Sequence, residues 1–144
     1  MSPGFLLDTN LLSELMRSAP APEVLAWFAS PAAGAMYTSS ITQAEILTGI
    51  ALLPAGQRRH ALAQAAQSMF AEDFAGRILY FESAAAEHYA LIVAARTALG
   101  RPISTEDAQI AAIAVASGLT LVTRNTKDFS QIAGLTQLNP WQPH

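Results

Sequence analysis

Apolar and polar positions fall into blocks along the chain, and the first block has the sharpest edge: Phe5, Leu6 and Leu7 run on without interruption and stop on Asp8. An apolar run that does not alternate reads as a strand of the parallel-sheet kind, covered on both faces. Helical signals follow at once. Asp8 or Asn10 can cap, Leu11, Leu12 and Leu15 recur at helical spacing, and Glu14 suits the first turns, which predicts a helix over residues 10 to about 17. A carboxylate at the carboxyl end of a central strand lies where open α/β sheets bind ligands.

The later blocks repeat this alternation. After Pro20-Ala21-Pro22, residues 23 to about 30 read as a second helix, with Trp27 and Phe28 as core or interface aromatics, and Pro31 to Gly34 as loop. Residues 35–39 predict a second strand and residues 40–53 a helix, with capping-box spacing at Ser40/Gln43 and Thr42/Glu45. Pro54-Ala55-Gly56 breaks the chain before a long helical stretch over residues 57 to about 74, ended by Gly76. Residues 77–81 predict a third strand and residues 83–99 a helix closed by Gly100. Ser104 opens a helix over residues 105–117 that is apolar nearly all round, as expected of a helix buried on more than one side. Gly118 stops it. Residues 119–123 predict a fourth strand, residues 124–129 a polar loop, and residues 135–138 a short last strand. Strands alternating with helices imply an α/β fold, a three-layer α/β/α sandwich on a mainly parallel sheet of four to five strands.

Composition narrows the class. The chain has 144 residues, enough for one domain spanning residues 1–144, and with 51% hydrophobic residues it can bury a core, which excludes a disordered chain. No apolar run approaches the roughly 18 residues of a membrane helix, and no basic segment followed by an apolar one opens the chain, so the expected location is cytoplasmic. There is no cysteine, which fits a reducing compartment and leaves only oxygen and histidine ligands for any metal. A formal charge of −3 argues against broad, non-specific nucleic-acid binding, although it permits a local basic strip. Arg101, Arg124 and Lys127 fall near acidic positions, while Arg58, Arg59 and His60 form a second cluster; solvated surface charge accounts for each equally simply. His88 has no acid cluster at ligand spacing and His60 sits among arginines, so neither receives a role, nor does His144. No repeat, linker or low-complexity tract is evident.

Three of the acids occupy comparable places: Asp8 after the first strand, Glu45 in the first turns after the second, and Asp107 in the first turn of the late apolar helix. Each has a local explanation. Asp8 can be an N-cap, Glu45 can close a capping box with Thr42, and Asp107 can close one with Ser104. Strand ends at one edge of a parallel sheet converge, however, and three carboxylates gathered without cations repel by about 3 kcal/mol per pair at ~5 Å and an effective dielectric near ~20. A divalent cation is the usual reason for such a grouping, and hard oxygen ligands suit Mg²⁺ or Mn²⁺.

Those residues also carry a family resemblance. Leu6-Leu7-Asp8-Thr9-Asn10-Leu11-Leu12-Ser13-Glu14, Ser40-Ile41-Thr42-Gln43-Ala44-Glu45-Ile46-Leu47-Thr48-Gly49-Ile50 and the run from Gly100-Arg101-Pro102-Ile103 through Asp107 to Ala114 occur in that order. Leu121-Val122-Thr123-Arg124-Asn125-Thr126-Lys127-Asp128-Phe129 and Asn139-Pro140-Trp141 complete the set, which spans almost the whole chain. Together they resemble PIN-domain ribonucleases of the VapC/FitB toxin type, the nuclease half of type II toxin–antitoxin pairs.

The resemblance implies a Mg²⁺- or Mn²⁺-dependent endoribonuclease with Asp8, Glu45 and Asp107 as acidic metal ligands and a metal-activated water as nucleophile. The family often carries a fourth acid after the fourth strand; that place falls on Asn125 here, with Asp128 three residues on as the only acid of the loop. Thr9, Asn10 and Thr123 would support the site, and Arg101, Arg124 and Lys127 would bind the RNA backbone. The implied partners are RNA, a second copy of the chain in a homodimer, and an antitoxin that occupies the acidic site and makes the DNA contact; no membrane is involved. Two other readings fit part of the pattern. Asp8-Thr9-Asn10 also resembles the aspartate-nucleophile motif of haloacid-dehalogenase-like phosphohydrolases, but that chemistry needs a second acid where Asn10 stands. A non-catalytic binding module of the same fold is the other.

Overall fold

In a computed structural model, which describes residues 4–30 and 35–142, the first apolar block becomes β1 (Gly4–Leu7), the middle strand of a five-stranded sheet. On one side of it lie β2 (Ala35–Ser39) and β3 (Ile78–Leu79), and on the other β4 (Thr120–Val122) and β5 (Gln137–Leu138), in the order β3-β2-β1-β4-β5. Every pairing is parallel.

The uninterrupted apolar run of β1 is explained by the two cores it feeds. Phe5 and Leu7 enter one core, against α1 (Thr9–Leu15), α2 (Pro22–Phe28), α3 (Ser40–Ala51) and α4 (Gln57–Ser68). Leu6 enters the other, against α5 (Ser83–Ala98) and α6 (Thr105–Ser117). Val122 and Leu121 of β4 divide in the same way, so the sheet is a layer between two helical layers. Leu6 and Leu7 are fully buried, each worth about 2 kcal/mol of transfer free energy. The α6 helix is buried nearly all round, as its composition requires: Ala108, Ala111, Ala112 and Ala114 add little bulk while Ile110 and Ile113 fill the core. It ends on Gly118 at φ +65°, a left-handed cap that a side chain would strain. Trp27 packs edge-to-face on Phe5 and Phe28, at 5.2 and 5.0 Å between ring centroids, as a core aromatic.

Several expectations change in detail. The long helix over residues 57–74 is interrupted: α4 stops at Ser68 and the chain widens into a π-helical turn, Met69–Asp73, which turns Met69 and Phe70 into the core. The polar loop after β4 contains a 3-10 turn, Thr126–Phe129, anchored by the buried Phe129. Strand three keeps only Ile78 and Leu79. Ser39, not Ser40, caps α3, its hydroxyl accepting from the Thr42 amide at 3.1 Å, so neither capping box expected there forms. The loop over residues 31–34 and His144 lie outside the described residues.

The strand order creates a crevice. From β1 the chain builds outward through β2 and β3, then returns to place β4 on the opposite side of β1. Ligands of open parallel sheets bind outside the carboxyl ends of the strands at such a reversal. Asp8 follows β1 and Thr123 follows β4, one on each side of it.

Candidate active site

Asp8 lies at the bottom of this crevice, 4% exposed. Its Oδ1 accepts from the Thr9 amide at 2.8 Å, which is the capping contact, and its Oδ2 accepts from the Thr123 hydroxyl at 2.8 Å and from Asn10 Nδ2 at 3.3 Å. Capping and site-forming roles therefore coincide in one carboxylate. Burial pushes its pKa above the usual aspartate range; the Thr123 and Thr9 donors oppose that rise, and the charge of Glu45 adds to it.

Glu45 projects from the second turn of α3 toward α1 instead of back along its own helix. Its Oε1 accepts from the Thr9 hydroxyl at 2.6 Å, and Thr9 Oγ1 lies 3.2 Å from Thr42 Oγ1. The expected Thr42–Glu45 box is replaced by this tie between helices. Asp107 sits in the first turn of α6, its amide donating to the Ser104 hydroxyl at 3.2 Å, as the capping spacing predicts. Its carboxyl group is raised to about 6, first by burial and then by the negative charge of Asp8, with Asp128 and Glu45 contributing. Such mutual repulsion is what a bound cation would relieve.

A cavity of about 520 Å³ is lined by Asp8, Glu45 and Asp107 together with Thr9, Asn10, Arg124 and Asn125. Asn10 bridges its floor and rim: Nδ2 reaches Asp8 and, at 3.4 Å, Thr123, while Oδ1 accepts from the Arg124 amide at 3.1 Å. The Thr123 hydroxyl also accepts from the Asn125 amide at 3.0 Å. Of the two candidates for a fourth position, Asn125 lines the cavity and Asp128 does not, though the charge of Asp128 reaches Asp107. Arg101 and Lys127 are exposed and outside the lining; Arg101 donates to Gln131 Oε1 at 3.2 Å.

Four further lining residues carry no role in the sequence reading: Ser13, Glu14, Arg17 and Trp141. Ser13 and Glu14 share a face of α1 with Asn10, and Arg17, just past its end, continues the same helical spacing, a signal that could have found them. Glu14 is buried, accepts from the Ala21 amide at 2.7 Å and pairs with Arg17 at 3.1 Å. The Ala21 amide and then Arg17 hold its carboxyl below the usual glutamate range. Trp141 lies under the Arg124 guanidinium, 5.0 Å from carbon to ring centroid, a contact between distant positions that no local pattern signals.

Among the described residues, no three acidic or histidine side chains are close enough together to enclose an ion by themselves. Mg²⁺ makes no such demand, since it is usually held by one or two carboxylates and keeps several waters. The all-oxygen donor set, the charge that Asp8 and Glu45 exert on Asp107 and the raised Asp107 fit that mode of binding.

A family model described as PIN domain matches residues 5–135. The chain belongs to the PIN-domain family. It is 40% identical over 138 residues to the VapC ribonuclease Y4jK of Sinorhizobium fredii, covering 96% of this chain and 98% of the relative. To Toxin FitB of Neisseria gonorrhoeae it is 39% identical over 136 residues, covering 94% and 97%. Among solved structures, that of FitAB bound to an IR36 DNA fragment superposes with a TM-score of 0.87 at 37% identity, over 97% of each chain. Within the family the chain is thus of the VapC/FitB toxin type, as its motifs suggested. The PIN-domain match accounts for Asp8-Thr9-Asn10 and leaves no place for a haloacid-dehalogenase-like phosphohydrolase.

Proposed function

We propose that this chain is a divalent-metal-dependent endoribonuclease, the toxin of a type II toxin–antitoxin module, and that Asp8, Glu45 and Asp107 form its catalytic centre. The observation that carries this reading is one cavity lined by three carboxylates from three separate elements at the reversal of strand order, one of them raised to about 6 by burial and by its neighbours' charge. Similarity to a VapC ribonuclease over nearly its whole length supports the substrate class.

In this reading Asp8 and Asp107 hold Mg²⁺ or Mn²⁺, with Glu45 and Asn125 completing the shell directly or through water. The bound ion would supply positive charge at the scissile phosphate and a water of lowered pKa. The chain's own residues do the positioning. Thr123, Thr9 and Asn10 fix both oxygens of Asp8. Thr9 holds Glu45 toward the cavity, where its free oxygen can orient the attacking water and accept its proton. The Arg124 guanidinium receives the RNA backbone at the rim. As with FitAB bound to DNA, the DNA contact of the module belongs to a complex with a partner. That partner is an antitoxin placing a basic group among the carboxylates, where the local field favours cations. The toxin itself pairs as a homodimer. No helix among the described residues is long and apolar enough to cross a membrane.

The test is incubation of the purified chain with structured RNAs and Mg²⁺ or Mn²⁺, alongside chelator and Asp8→Asn controls. Cleavage abolished by both controls is expected. Cutting that survives both would overturn the assignment.

A further inference from the structure

The cavity sets an electrostatic problem. A polyanion must enter a pocket lined by Asp8, Glu45, Asp107 and Glu14, and among the described residues only two cations line it, Arg17 and Arg124. Arg17 is committed to Glu14, with both carboxylate oxygens within 3.2 Å of its Nη1. Arg124 is left. It lines the same cavity as four carboxylates and its charge reaches Glu14, yet no salt bridge joins it to any of them among the described residues. Its backbone is tied on both sides, the amide to Asn10 Oδ1 and the carbonyl to Asn139 Nδ2, while its guanidinium lies over the Trp141 ring. Trp141 is itself set in place, its amide donating to Asn139 Oδ1 at 2.9 Å and its indole packed on the core.

A guanidinium beside free carboxylates would normally pair with them. Stacking on an indole offers an alternative that occupies the ring-facing side of the group and leaves its five N–H donors unspent at the rim. We propose that Trp141 is a positioning residue that keeps Arg124 off the acidic centre, so that Arg124 is available to take an RNA phosphate beside the scissile one. Without the indole, Arg124 folds onto the carboxylates, occupies the charge meant for the metal, and is lost to the substrate. This inference rests on the nuclease reading for the substrate but concerns a contact within the chain.

The two roles separate in a double-mutant experiment read by the Mn²⁺ dissociation constant and by the KM and kcat of RNA cleavage. Arg124→Gln is expected to raise KM about tenfold with kcat within about twofold and Mn²⁺ affinity unchanged, the pattern of a lost substrate contact. Trp141→Leu is expected to raise KM similarly and also to weaken Mn²⁺ binding about tenfold. Adding Arg124→Gln to Trp141→Leu should then restore Mn²⁺ affinity while KM stays high. That restoration is the decisive outcome, because damage from a merely missing core indole is not repaired by removing an arginine. Trp141→Phe, which keeps a ring, should retain most of both properties and carries the comparison if the leucine variant does not fold. Unchanged KM and Mn²⁺ affinity in Trp141→Leu, or no restoration in the double variant, would overturn the proposal. A wild-type chain that binds Mn²⁺ yet cuts no RNA would sink the nuclease reading alone, since the Mn²⁺ comparison still tests the contact.

Discussion

The hydroxyl of Thr123 donates to Asp8 Oδ2 at 2.8 Å, joining the carboxyl ends of the parallel strands β4 and β1 at the point where the strand order reverses. This bond favours the ionised form of a carboxylate that burial pushes the other way. Replacing Thr123 with valine keeps the shape and removes the donor. The Asp8 pKa should rise further, Mn²⁺ affinity at neutral pH should fall about tenfold or more, as for lost partners of metal ligands, and the pH–rate profile should move upward. A titration of Mn²⁺ binding against pH checks all three.

Asp107 gives a stability signature of opposite sign to the usual salt-bridged aspartate. Its folded pKa of about 6 lies above the ordinary 3.8, so between those values the folded chain holds more protons than the unfolded one. Stability attributable to this group is intact below 3.8, falls as pH rises through the window, and stays reduced above 6. The full shift corresponds to about 3 kcal/mol, which partial solvent screening reduces to about 1 kcal/mol. Asp107→Asn should therefore be more stable than the parent at pH 7 and close to it at pH 3.5, as read from urea midpoints. Mn²⁺ should raise the melting temperature of the parent and leave that of Asp107→Asn nearly unmoved.

Glu14 runs the other way. The Ala21 amide and Arg17 hold its pKa below 4.5, so its contribution is present above that value and lost as pH falls through the folded pKa. Glu14→Gln should cost stability at pH 7 and progressively less in acid, when urea midpoints are followed downward from neutrality.

How far the chain could be read follows from how local each cause was. The strand at Phe5 to Leu7, the α6 caps at Ser104 and Gly118 and the position of Asp8 were legible because each rests on neighbours within a few residues. Alternating burial of Leu6 and Leu7 into two cores also follows from the apolar run itself. The capping-box spacing of Thr42 and Glu45 left a local alternative open for Glu45, because a pattern four residues long cannot register Thr9, which arrives from another helix and binds Glu45 at 2.6 Å. The π-helical turn after Ser68 escaped for a related reason: apolar spacing continues through it, and tertiary packing of Met69 and Phe70 selects the wider turn. Trp141 under Arg124 depends on β5 lying beside β4, information that emerges only from the assembled sheet.

Arg96 shows the same non-locality and yields a stability prediction. This residue is 5% exposed and has no carboxylate partner among the described residues; its guanidinium donates to the carbonyls of Arg101 at 2.7 Å, Asp128 at 3.0 Å and Ser130 at 3.1 Å. One side chain thus ties the segment leading to Ser104 and Asp107 to the turn that follows Asn125. Methionine would preserve much of the volume and orphan three carbonyls, at a cost of about 3 kcal/mol or more. Lysine supplies fewer, differently aimed donors and should recover only part of it. Because both tethered segments flank the acidic cavity, Arg96→Met should also weaken Mn²⁺ binding at temperatures where the variant is still fully folded. Denaturation midpoints and Mn²⁺ titration on the same samples separate the two effects, and a folded variant with parental metal affinity would confine Arg96 to stability.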